Sequence, residues 1–439
     1  MKLKLSAMII LSLLTAVSAV FVFNREDVPA AGPMAKIELS LWHNFTGEDL
    51  RAQTMRSIIK EFQDANPDIA LHIEAIPPDG YRTRLKTVAA ADEMPDVFVM
   101  WSGAMTEEFS SASLVQPING LVEANPEWRD GFLSGSLEAF TEDGNIYGAP
   151  MGLSPTSILY YNKGIFNKYG LKVPETWDGL LAVIERLKRE GVTPIALGNK
   201  AAWLAQSSIF SSLADRVTGT DWLLKAVKQE GAGFTDPPFV EALTYMAQLG
   251  EVGAFQEGYN NIDNTQMELM FAKGEAAMMI DGGWALSNLA ANATIEQMRE
   301  MGAAVLPSIP GGKGDPRTLS GAVGSGMALG KDATGKKREA ALRLIYAMSG
   351  PEAQRRTLES NQLVSYKIEL DKGKATPIFS EVYNLVNSVK LTPIYDSMLT
   401  SEGTEALNNG LQELLAGGDP KEVAKSVQAA HAKALAEQH

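Results

Sequence analysis

The side chains best placed for chemistry in this chain are aromatic and polar, not nucleophilic. Asp281-Gly282-Gly283-Trp284 follows an apolar run at 276–280. The run reads as a short buried strand, and the glycines as the turn that ends it. Glycine lets a backbone adopt positive φ or approach another group closely. An indole just beyond such a turn is a surface for stacking a flat apolar face. Trp203 follows Gly198-Asn199-Lys200, Trp101-Ser102-Gly103 follows the apolar run 97–100, and Asn44 lies in the polar turn after Trp42. There is no cysteine. That removes thiol nucleophiles, thiolate metal sites and disulfides. The four histidines, at 43, 72, 431 and 439, show no metal-ligand spacing.

These residues need a large scaffold. At 439 residues, 45% hydrophobic and 21% charged, the chain is globular and long enough for two or three domains. A net charge of −14 argues against a nucleic-acid partner, because phosphates demand a basic face. Lys2 and Lys4 precede an apolar run at 5–23, with small residues at 17–19 and 29–31. That pattern predicts an export signal, cleaved or retained as an N-terminal tether.

After a Pro/Ala/Gly linker at 24–35, residues 36–42 alternate apolar and polar as in a strand. Met55, Ile58, Ile59 and Phe62 mark one helix face, and strand 70–76 and helix 81–91 follow. Residues 97–100 read as a buried parallel strand. Strand–helix–strand–helix–strand implies a doubly wound α/β domain, whose ligands sit outside the carboxyl ends of the strands. Asn44 and Trp101 both fall there. Further on, Thr176 reads as the N-cap of an amphipathic helix. Trp177, Trp222 and Trp128 read as packing residues, and Trp42 as a minor cleft residue. Strands read at 303–306 and 322–329, helices at 336–348 and 351–361, and the end of the chain is helical at 401–415 and 422–436.

Four segments together resemble the extracellular solute-binding proteins of ATP-driven (ABC) importers, in the sugar and oligosaccharide branch. They are Tyr160-Tyr161-Asn162-Lys163 with Pro174-Glu175-Thr176-Trp177; residues 193–198 with Trp203; residues 274–284; and residues 321–329 with Ser349-Gly350-Pro351-Glu352-Ala353. The resemblance implies an α/β, two-lobed periplasmic-binding-protein-like fold of type II. Its lobes are discontinuous, joined by crossing hinge strands, and close on ligand by hinge motion. The first lobe is placed at 36–148 and 305–348, and the second at 149–304 and 349–439. The implied function is capture of a carbohydrate in the cleft and delivery to membrane permease subunits, by a periplasmic monomer without cofactor or metal. A secreted glycoside hydrolase and a chemosensory sugar-binding protein are the alternatives. Hydrolysis needs two carboxyl groups flanking one bond, and no local motif among the 53 acids suggests such a pair.

Sugars present apolar C–H faces and rings of hydroxyls, so aromatics stack on them and polar side chains read them. On that basis Trp284, Trp203 and Trp101 are the expected stacking residues. Asn44, Asp281, Ser102, Asn199 and Ser320 are the expected polar contacts, with Gly283 and Gly321 allowing close approach. Asp281 is equally suited to capping its own turn.

Overall fold

The computed structural model describes residues 36–371 and 373–437. The export signal read at the N-terminus lies outside the described residues. No helix among the described residues is long and apolar enough to cross a membrane.

Two separate hydrophobic cores organise the chain. The first surrounds a mixed sheet in the order Ile69–Ala75, Ile37–His43, Val97–Trp101, Ser325–Gly330, Val115–Gln116, with Gly148–Pro150 also paired to Ser325–Gly330. The first three strands are parallel, and Ser325–Gly330 runs antiparallel to Val97–Trp101. The helix Leu50–Ala65 packs on this sheet by burying Ala52, Met55, Ile58, Ile59 and Phe62, the face that 3.6-residue spacing predicts. Each large apolar side chain so buried contributes roughly 1.5–3 kcal/mol before entropy is counted. Asp49 caps the helix, its carboxylate accepting from the Ala52 N–H at 3.0 Å.

The second core surrounds the sheet Thr193–Ala196, Ala276–Asp281, Ile158–Asn162, Met301–Ala304. Ala276–Asp281 is buried at every position, because helices cover both faces. Thr176 caps the helix Trp177–Arg189, accepting from the Gly179 N–H. Trp177, Trp222 and Trp128 are packing residues. Their indole N–H groups donate to Gln248, Asp236 and the Ser349 carbonyl.

A small three-stranded sheet lies where the chain crosses between the lobes. Leu153–Pro155 runs antiparallel to Thr318–Val323, which is parallel to Lys390–Thr392. The return into the first lobe comes later than residue 305. Leu306, Ile309 and Leu319 belong to the second core, whereas Met327, Ala328 and Leu329 belong to the first. Arg216 adds to this apolar burial. Its buried guanidinium donates to the carbonyls of Leu306 and Thr318, which holds this stretch in the second lobe. The final exit is likewise later than 348, since Met348 and Ala353 pack in the first core and Leu358 in the second.

Candidate functional site

The turn after Ala276–Asp281 fixes where Trp284 sits. The Asp281 carboxylate accepts from the Gly282 N–H at 2.7 Å. A Cβ on Gly282 would stand 2.3 Å from the Trp284 ring, so the indole lies back over the glycine and only hydrogen fits beneath it. Gly283 packs against Leu363 and Pro155 of the hinge. Trp284 then opens the helix Ala285–Asn292.

Trp203 meets Trp284 edge to face, with ring centroids 5.6 Å apart and planes inclined at 62°. This is a favoured aromatic geometry. Two features aim Trp203. Ala202 holds φ at +64°, a left-handed conformation that costs a non-glycine residue about 1 kcal/mol. Beyond the indole the chain enters a π-helical stretch, Ala205–Phe210, a form often found at functional sites. The Trp203 N–H donates to Asp79 at 3.1 Å. Asp79 belongs to the first-lobe helix Pro78–Ala90, so this bond crosses the cleft.

Other bonds cross with it. Arg82 donates to Asp396 at 2.8 Å, with its guanidinium 4.4 Å above the Trp101 ring. Ser287 donates to Asp49 at 3.0 Å, and Ser401 donates to Glu108 at 2.7 Å. The lobes therefore touch around an aromatic corner.

The predicted site residues separate into groups. Trp284 and Trp203 come together on the second-lobe wall, both half-buried. Asn44 sits at the end of Ile37–His43 with its side-chain oxygen buried and without a donor. Beside it, burial and then the charge of Arg56 hold the His43 imidazole at a pKa of about 4. Its Nδ1 accepts from the Phe45 N–H at 3.1 Å, so the ring is neutral. Trp101 lies in the cleft, but Arg82 covers one of its faces.

The six other predicted residues are engaged in bonds or packing within the protein. Asn199 is fully buried and its side chain ties its own loop to a neighbouring one, accepting from the Ala205 N–H and donating to Asn260. Ser102 donates to the Val323 carbonyl, tying the first lobe to a crossing strand. Ser320 is fully buried within Thr318–Val323; its carbonyl accepts from the Thr156 N–H at 2.7 Å, and its hydroxyl has no hydrogen-bond partner among the described residues. Gly321 lacks a side chain because a Cβ would stand 2.9 Å from the Pro155 backbone. Asp281 is fully buried beneath its turn and faces Glu268, not the open cleft. Gly283 serves hinge packing, as described above.

Sequence reasoning missed Asp79, Arg82 and Asp396, which meet their partners only across the cleft. No local motif marks them. Glu268 was also missed. Its helix, Asn264–Ala272, buries Met267, Glu268, Phe271 and Ala272. An acid inside that buried set was the available signal.

Comparison with known proteins agrees with this architecture. Residues 48–355 match the family model described as bacterial extracellular solute-binding protein. A multiple sugar-binding protein of Streptococcus mutans is 28% identical over 238 residues, covering 53% of this chain and 54% of that one. The match thus spans about half the length of that curated relative. A chitin oligosaccharide binding protein of known structure superposes with a TM-score of 0.84 at 26% identity, covering 91% of this chain and 100% of that one. A structure from work on xylan utilisation by the thermophilic bacterium Caldanaerobius polysaccharolyticus gives 0.81 at 27% identity, covering 90% and 99%. With two cores, crossing hinge strands and a family match over most of its length, the chain belongs to the bacterial extracellular solute-binding proteins.

Proposed function

We propose that this protein binds a sugar or oligosaccharide between its lobes and hands it to the permease subunits of an ABC importer, as an exported, periplasmic monomer. The observation that carries the reading is the Trp203–Trp284 corner, closed from the opposite lobe by Asp79. Two indoles set edge to face offer differently inclined apolar surfaces for a pyranose face and its neighbour. Asn44, whose buried side-chain oxygen lacks a donor, is suited to accept from a sugar hydroxyl. The names of the Streptococcus and chitin-oligosaccharide proteins support the same ligand class. A hydrolytic reading gains nothing from the acid pair nearest Trp284, because Glu268 and Asp281 are sealed from solvent.

The test is calorimetry of the purified chain against a glycan panel, with each ligand analysed after recovery. Saturable binding with intact ligand is expected; glycan turnover would overturn the reading. Trp284→Ala should weaken binding by roughly 2–4 kcal/mol, combining lost burial with lost stacking. An unchanged Kd would move the site elsewhere.

A further inference from the structure

Beneath the aromatic corner lie two carboxyl groups with no cation beside them among the described residues. Glu268 and Asp281 are 3% and 0% exposed, and their carboxyl groups face each other. Amide donors already occupy both Glu268 oxygens: Asn264 donates to one at 3.3 Å, and Asn288 donates to the other. Asn292 donates to the Asn288 side-chain oxygen at 2.7 Å, which holds that amide in orientation. Asp281 Oδ1 accepts from the Gly282 N–H. Oδ2 and the Trp284 indole N–H are both buried without an aligned partner. Two ionised carboxylates are acceptors only and cannot bond to each other.

We propose that Glu268 and Asp281 share a proton, Glu268 donating it to Asp281, and that the protonated pair positions the Gly282–Trp284 turn for ligand. The inference rests on the sugar-binding reading for its ligand, but not for its proton. Glu268 and Asp281 are positioning residues, not ligand contacts. The turn responds to them because Asp281 grips the Gly282 N–H, and Gly282 is the floor on which the Trp284 ring lies.

Several other groups face the pair, and burial with like charge outweighs the neutral donors among them. Tyr160 reaches in from Ile158–Asn162 and donates to the Gly282 carbonyl at 3.1 Å. Asp49, from the first lobe, adds negative potential at Glu268. Ser208, from the π-helical stretch, and Trp284 bring neutral donors toward Asp281. Burial raises Asp281 to a pKa of about 7 and, with Asp281 and Asp49 nearby, lifts Glu268 well above the carboxylate range. Loss of the last proton at alkaline pH places two like charges in one dry site. Affinity then falls by up to tenfold per pH unit, the limit for one linked proton.

Two measurements test this. Infrared spectroscopy of the ligand-free protein at pH 7.5 should show a protonated-carboxyl band that Glu268→Gln and Asp281→Asn each diminish. Its absence from the wild type overturns the proposal whether or not any glycan binds. Titration with the tightest glycan of the panel should show an alkaline loss of affinity in the wild type. Glu268→Ala should weaken binding at all pH values. Glu268→Gln, whose amide can donate to Asp281, should restore most of that loss and remove the alkaline limb. An alkaline limb that persists unchanged in Glu268→Gln overturns the proposal. If no glycan binds, the sugar reading fails and the infrared result still decides the proton.

Discussion

Replacing Trp203 by phenylalanine keeps an aromatic ring against Trp284 and removes only the N–H that reaches Asp79. The donor–acceptor distance is 3.1 Å and the bond joins the two lobes, so it exists only when they meet. A hydrogen bond to a charged acceptor is worth about 1.5–3 kcal/mol when sheltered. Asp79 is half-buried, so water competes for it, and about 1 kcal/mol is the appropriate figure. That corresponds to roughly a fivefold change in an equilibrium constant. The assay is a double-mutant cycle of Trp203→Phe and Asp79→Ala, read both as glycan Kd by calorimetry and as radius of gyration of the free protein by small-angle scattering. Each single variant should weaken ligand binding or open the free protein, and the double variant should add little to either. A coupling within about 0.3–0.5 kcal/mol of zero, with no change in radius of gyration, would refute the cross-lobe bond as a contributor to closure.

Gly282→Ala should weaken ligand binding about as much as Trp284→Ala, because the new methyl occupies the space of the indole; an unchanged Kd would show that the ring has another seat. Trp128→Ala should cost the first lobe about 3–5 kcal/mol, since the indole is buried against Phe132 and Tyr346 and donates to the Ser349 carbonyl; melting should drop while Kd changes little. His43 has a folded pKa of about 4, below its ordinary 6.5. The unfolded chain therefore binds the proton first, and His43 favours the folded state fully above pH 6.5. That contribution declines as pH falls toward 4, by at most about 3 kcal/mol. His43→Asn, with an oxygen to replace Nδ1 as acceptor, should flatten that part of a melting-versus-pH curve; an identical acid limb would assign the loss to other groups.

Much of the architecture was legible because it rests on local signals. Apolar spacing at 55, 58, 59 and 62 marks the first helix face, Thr176 announces the helix it caps, and the buried run 276–280 ends at its glycines. Gly-Gly-Trp also marked the corner where Trp284 meets Trp203, since a missing side chain and a following indole are a local arrangement. What the sequence by itself determined is therefore the set of elements, the aromatic wall and the residues that pack it. The tertiary structure alone decided which polar groups serve that wall. Asn199, Ser102, Ser320 and Asp281 have the chemistry to meet a ligand, yet bonds to distant or neighbouring backbone and side chains use or bury them. Asp79, Arg82 and Asp396 look like surface charges until the lobes meet. Arg216 holds the second lobe's share of the return segment through carbonyls at 306 and 318. The physical reason is range: helix and turn preferences act over a few residues, whereas hydrogen-bond partnership and desolvation depend on groups brought together by the fold.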